Sequence, residues 1–150
     1  MNRNNKSLFT KVTALLLALI MVCPIGASAV EPRASYYLES YNAYPYSAGW
    51  GKVQIWFTVT GVDYMDDLGA LTIQIYESTD NVNFTWVKSY TNDTTSSMLS
   101  SGYSYMSHVE YQGVVGRYYK AYVCIYAGKD GAGDTRYFWT GSKKATLLAE

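Results

Sequence analysis

The residues able to do chemistry are few, and their spacing is the first thing to weigh. His108 is the only histidine, so a histidine-based triad or general base must use it. It sits in S-H-V-E-Y, and Glu110, two residues on, shares its face of an extended strand. A His–Glu pair is geometrically allowed, but no nucleophile motif accompanies it. The sequence favours a surface histidine beside a surface glutamate. Cys124 could serve as a nucleophile or a dimer-forming thiol, yet a cysteine inside a strand is more often a small buried hydrophobe. Its face also carries Lys120 and tyrosines, which predicts partial cover. One His and one Cys on separate strands give no zinc-ligand spacing.

Carboxylates offer two further readings. K-D-G-A-G-D-T places Asp130 and Asp134 around two glycines, and such a loop can turn backbone carbonyls toward a hard cation. Asp63, Asp66 and Asp67 form a second acidic group that could join it in space. Calcium is therefore the one cofactor with any support, at Asp130 and Asp134. There is no second copy of the loop and no bidentate glutamate at calcium-loop spacing, so a plain hairpin turn is the favoured reading. Twelve acids allow many pairs for glycoside hydrolysis, but each falls in a turn or at an outward strand position. The constellation expected of an enzyme is missing, and the sequence reads as non-enzymatic.

What remains is aromatic. The chain holds 16 tyrosines and four tryptophans, all beyond residue 29. Alternation puts Trp56, Tyr76, Tyr122 and Tyr126 on outward faces, with Trp86 or Tyr90. Side by side they would make a platform for sugar rings or a partner protein. The competing reading is that tyrosine serves only as a strand former.

The elements that must position these groups are strands. Gly116 to Thr140 reads as a hairpin: Tyr119, Ala121, Val123 and Ile125 alternate against Tyr118, Lys120, Tyr122, Cys124 and Tyr126, and the Asp130-Gly131 and Gly133-Asp134 region turns the chain. Ser35 to Tyr44 reads as an edge strand and Pro45 to Gly51 as a turn. Lys52 to Thr60 points Val53, Ile55, Phe57 and Val59 inward and ends at Gly61. Val62 to Gly69 reads as a connection with a short helical turn started by Asp63. Leu71, Ile73 and Ile75 are the inward face of the next strand. Ser78, Asp80 and Asn81 form a turn leading to a strand from Phe84 to Tyr90. Asn92 to Gly102 reads as a polar loop, Tyr103 to Tyr111 as a strand, and the tail as extending the last strand through Leu147.

About seven strands with turn signals and no helical period predict an all-β, antiparallel, immunoglobulin-like β-sandwich, with a barrel as the alternative. Gly116-x-x-Tyr119-x-Ala121 matches the tyrosine near the start of the penultimate strand in such folds.

The first 29 residues read as an address. Arg3, Lys6 and Lys11 precede an apolar run from Val12 to Val22, and Ala27-Ser28-Ala29 fits a signal peptidase site, with cleavage after Ala29. The run is shorter than a membrane span, and Val22 and Pro24 around Cys23 fit a lipoprotein poorly. The expectation is therefore one secreted domain, residues 30–150, that meets the membrane only through the transient signal peptide. Cleavage removes three of the 12 basic residues and none of the 12 acidic ones, leaving nine against 12. That mild acidity, with no basic stripe, argues against nucleic acid as a partner.

Three stretches, M-D-D-L-G-A at 65–70, I-Q-I-Y-E-S-T-D at 73–80 and Y-K-A-Y-V-C-I-Y-A-G-K-D-G-A-G-D-T-R at 119–136, resemble short secreted proteins of Gram-positive bacteria known as a domain of unknown function. With the strand at 52–60 they span most of residues 30–150. The resemblance implies a secreted all-β domain and carries no activity. Such proteins tend to place Trp after an E-S-x-D-G turn, whereas here Phe84 and Trp86 share that region without the glycine. The resulting expectation is a secreted, non-enzymatic module that binds an extracellular glycan or protein. A self-associating matrix protein is the alternative, and a small hydrolase is a more distant one.

Overall fold

The computed structural model describes residues 35–150. The signal peptide, the cleavage site at Ala27 and Ala29, Cys23 and the entry segment through Ala34 lie outside the described residues.

The described chain is all-β and antiparallel, with seven strands in one sheet. They are β1 (Leu38–Gly49), β2 (Lys52–Ser78), β3 (Thr85–Thr91), β4 (Leu99–Gln112), β5 (Tyr118–Lys129), β6 (Ala132–Trp139) and the short β7 (Lys143–Lys144). The hydrogen-bonded path runs β1-β2-β5-β6, with β3 and β4 also on β2 and β7 on β5. β2 is 27 residues long and serves two neighbourhoods. Its first part lies between β1 and β4, with Trp56 opposite both Tyr44 and His108. Its last part lies between β5 and β3, with Gln74 opposite both Tyr122 and Ser89. The sheet curls into half a barrel. Its two ends meet through side chains, with Tyr41 against Phe138 at 5.2 Å between rings and Ser35 Oγ donating to Asp134 Oδ2.

The predicted inward faces fill the curl. Val53, Ile55, Phe57, Val59, Ile73, Ile75, Tyr119, Ala121, Val123 and Ile125 are all fully buried in one cluster. Removing such side chains from water, at about 1.5–3 kcal/mol each, is what holds a disulfide-free sheet closed. Leu71 departs from its predicted inward place. It is half-buried at a register shift between Ala70 and Thr72, and Ala70 takes the buried position.

Four boundaries differ from the sequence reading. Pro45 to Gly49 is strand and not turn; among the described residues β1 pairs with β2 and otherwise carries only the single bridge at Ala48, and such an edge strand tolerates proline. The turn is only Trp50-Gly51, with φ of 54° and 78°, the positive pair that a two-residue hairpin needs. Residues 62–69 hold no helical turn and continue β2. Met65 and Leu68 are buried, and the backbone from Met65 to Gly69 pairs with β4, so tertiary pairing overrides the local turn signal. Gly69 is required there: a Cβ would lie 2.1 Å from the Met98 carbonyl oxygen. The predicted loop 92–102 is shorter, because a 3-10 turn at Ser96–Met98 buries Met98 and β4 begins at Leu99. The tail does not extend β6. Thr140 Oγ1 accepts the Ala121 N–H, and the chain leaves to form β7 and a bridge from Ala149 to Ala48.

Tyr119 ties three segments together. Its hydroxyl accepts the Val114 N–H at 2.8 Å, five residues upstream, and donates to Glu77 Oε2 at 2.5 Å. Arg117 pairs with the other oxygen of Glu77. Burial, then the Glu77 hydrogen bond, raise the Tyr119 pKa well above that of an ordinary phenol. A raised pKa means stability that is fully present below the unfolded-state value, about 10, and is lost as pH rises past it, since only the unfolded chain releases the proton. Tyr119→Phe is therefore expected to cost about 1–3 kcal/mol at neutral pH. In denaturant melts the gap between the two proteins should narrow above about pH 10. A gap unchanged at high pH would show that this hydroxyl is not held neutral by the fold.

Candidate ligand-binding face

The site is built on the outer side of the half formed by β3, the end of β2, β5 and β6. The Asp130-Gly131 turn, with φ of 53° and 77°, fixes the β5–β6 register and sets Tyr122 opposite Trp139 and Cys124 opposite Tyr137. On the other side of β5, Gln74 faces Tyr122 and Tyr76 faces Lys120. Trp86 follows opposite Tyr76 on β3. Alternation sends these side chains away from the core, because Tyr119, Ala121 and Val123 between them point inward.

The rings meet. Trp139 packs against Tyr76 at 4.9 Å and Tyr122 at 5.0 Å between centroids, and Tyr122 stacks with Tyr137 at 6.0 Å. Tyr137 and Trp139 remain open to solvent, 60% and 48% exposed, as does the neighbouring Trp86 at 59%, while Tyr76 and Tyr122 are half-buried. Hydrogen bonds steady the margins, Tyr76 Oη to Gln74 Oε1 and Trp86 Nε1 to Ser89 Oγ. Beside Trp139 the Lys120 ammonium lies 4.5 Å from that ring and 4.2 Å from the Phe84 ring. Cys124 is buried at 2% exposure beneath this face. Its thiol raises the Tyr137 pKa, with the Cys124 hydrogen bond as the largest cause.

Of the aromatic positions read from sequence, Tyr76 and Tyr122 come together. Trp56 does not join them, since it lies in the first part of β2, stacked on His108 at 4.4 Å with its Nε1 bonded to Gln54. Tyr126 lies toward the far end of β5, with its ring over Gly128 and Gly133; a Cβ on either would meet its hydroxyl within 2.5 Å. Trp86, and not Tyr90, belongs to the face: the Tyr90 hydroxyl turns to the Glu110 carbonyl. Tyr137 and Trp139 are not named by the sequence reading, which places Lys120 and Phe84 in strands without assigning them to a site. The two-residue turn was the signal that could have found the first two, because it dictates what faces Tyr122 and Cys124.

The polar candidates are held elsewhere. Glu110 accepts from Gln54 and pairs with Lys52, which lowers its pKa, while His108 lies face-on to Trp56. Asp134 accepts from Ser35 Oγ and the Tyr36 N–H. Asp130 lends its backbone N–H to Asp66, and Asp63 pairs with Lys129 at 2.6 Å. No group of three or more His, Cys, Asp or Glu side chains is gathered among the described residues. Asp80 caps its own turn, accepting the N–H groups of Val82 and Asn83, and sits well below the usual carboxylate range for that reason.

No family model matches the chain, and no curated protein or solved structure does either.

The cover over Cys124 has a direct consequence. Maleimide is expected to leave the Cys124 peptide unlabelled in native protein and to modify it fully in denaturant, as peptide mass mapping would read. Rapid native labelling would mean that the Tyr122–Tyr137 cover opens in solution.

Proposed function

We propose that the chain is a secreted, non-enzymatic module of the immunoglobulin-like β-sandwich kind, which binds an extracellular glycan through the outer face of β2, β5 and β6. The observation that carries this reading is the cluster of Tyr76, Tyr122, Tyr137 and Trp139, in ring contact, with Tyr137 and Trp139 open to solvent. The C–H face of a pyranose ring lies well against such rings, and their few rotatable bonds keep the ordering cost low. Strand-borne side chains are also held more firmly than loop-borne ones. The sandwich description is supported by the curl of the sheet around one buried cluster, to which both parts of β2 contribute. Secretion rests on the pattern of the first 29 residues and on the resemblance to secreted Gram-positive proteins.

A second reading, self-association, draws on a separate observation. Among the described residues β6 is paired to another strand, β5, on one side only, and a strand edge next to exposed aromatics is a template for another strand.

Affinity electrophoresis through gels containing polysaccharides tests the first reading. At least one polysaccharide is expected to retard the protein. The double change Tyr137→Ala and Trp139→Ala should weaken that retention about tenfold or more, as loss of a central aromatic anchor does, with little change in melting temperature. Retention that survives the double change would move the site off this face. Light scattering over a wide concentration range separates the second reading, which requires mass to grow with concentration.

A further inference from the structure

Lys120 is the odd residue on the aromatic face. Its ammonium lies between two rings, 4.2 Å from the centroid of Phe84 and 4.5 Å from that of Trp139. Ring faces attract a cation but accept none of its three N–H bonds in the manner of an oxygen. Among the described residues no side chain forms an ion pair with it; the four salt bridges use Lys52, Arg117, Lys129 and Lys143.

Its surroundings sharpen the point. The outward neighbours across β2 and β6 are Tyr76, Gln74 and Trp139, all uncharged. Glu77, next to Tyr76, points inward to Tyr119 and Arg117. Asp67, the acidic residue on an outward position of this part of β2, sits opposite Gly128. That is eight residues from Lys120 along β5, or roughly 26 Å at the rise of a strand. The face therefore presents the Lys120 ammonium with donors to spare and no carboxylate beside it; the next positive charge along β5 is Lys144, opposite Tyr118 and 5.6 Å from that ring.

We propose that this face selects an acidic glycan, a polymer of carboxylated pyranose units. One ring lies on the exposed part of Trp139, and its carboxylate accepts hydrogen bonds from Lys120. This rests on reading the face as a sugar platform. The spacing suits a charge carried on the stacked ring itself: the ammonium is 4.5 Å from the Trp139 centroid, within one pyranose width. The flanking rings exclude water from two sides of the ammonium, which strengthens a charge-assisted hydrogen bond there. Phe84 and Trp139 also hold the lysine in place, so little side-chain entropy is lost on binding.

The test is titration calorimetry of the full secreted chain against three uronate polymers: polygalacturonate, alginate and hyaluronate. Each is paired with its carboxyl-reduced neutral form, and polyglutamate, a carboxylate polyanion without sugar rings, is the charge control. The expected result is that at least one uronate polymer binds about tenfold or more tighter than its reduced form. That preference should vanish in Lys120→Gln, be retained in Lys120→Arg and weaken with added salt. Melting curves on both variants confirm that they fold. Equal binding of acidic and reduced forms, still lost in Trp139→Ala, would overturn the acidic preference and leave the sugar platform standing. Polyglutamate binding as tightly as the uronates would overturn it too, as attraction to charge without a ring on the aromatics. Binding of none of these saccharides, acidic or neutral, would overturn both readings.

Discussion

The structure depends on β2 being one strand and not two. Both edges of that strand are occupied over most of its length, by β1 and then β5 on one side and by β4 and then β3 on the other. A strand paired on both edges cannot slip by one residue without moving its buried set to the solvent face. Every neighbour therefore inherits its register from β2. The bend between Gly61 and Gly69 turns this shared register into a curl, because the core faces on its two sides must meet in one cluster. Met65 and Leu68, buried at the bend, hold the corner. Close approach of the Met98 carbonyl at Gly69 leaves no room for a side chain there. The Tyr119–Glu77–Arg117 group then fixes the start of β5 to the end of β2.

Much of this was legible residue by residue. Alternation at Val53, Ile55, Phe57 and Val59 and at Tyr119, Ala121, Val123 and Ile125 named the core, since period two is a local property of the chain. Asp80-Asn81 and Asp130-Gly131 marked true turns because positive φ is a local demand, met at 61° by Asn81 and 53° by Asp130. Residues 62–69 were misread for the opposite reason. Three aspartates and two nearby glycines are a turn signal, and only strands distant in sequence make the segment extended. Asp63 and Asp66 are spent on Lys129 and the Asp130 amide, partners that no local window contains.

The candidate face shows the same division. That Tyr76 and Tyr122 point outward follows from alternation alone. That both pack on Trp139, while Trp56 and Tyr126 lie elsewhere, needs the pairing of β5 with β2 and β6 and the length of each strand. Trp56 and Tyr76 are 20 residues apart on one strand, too far for contact, and alternation cannot report that distance. Tyr137 and Trp139 were within reach, since the two-residue turn at Asp130-Gly131 fixes each cross-strand partner once it is placed. Lys120 was visible as an outward residue. Its place between Phe84 and Trp139 was not, because Phe84 arrives from the turn before β3.

Exposed aromatic surface on a small domain calls for a physical reason, because it opposes solubility. An apolar face meant only for another copy of the chain gains nothing from a lysine without an anionic partner; taking an unpaired ammonium into a protein interface would cost several kcal/mol. A hydrated, ring-shaped ligand with its own anionic group meets both features at once, since the rings take its C–H face and the ammonium takes its charge. The rings are also already packed on one another, Trp139 on Tyr76 and Tyr122, so binding need not order them. Self-pairing through the β6 edge uses backbone groups and leaves Lys120 without a role. The lysine is the residue that separates the two readings, and its position beside Trp139 weighs toward the ligand.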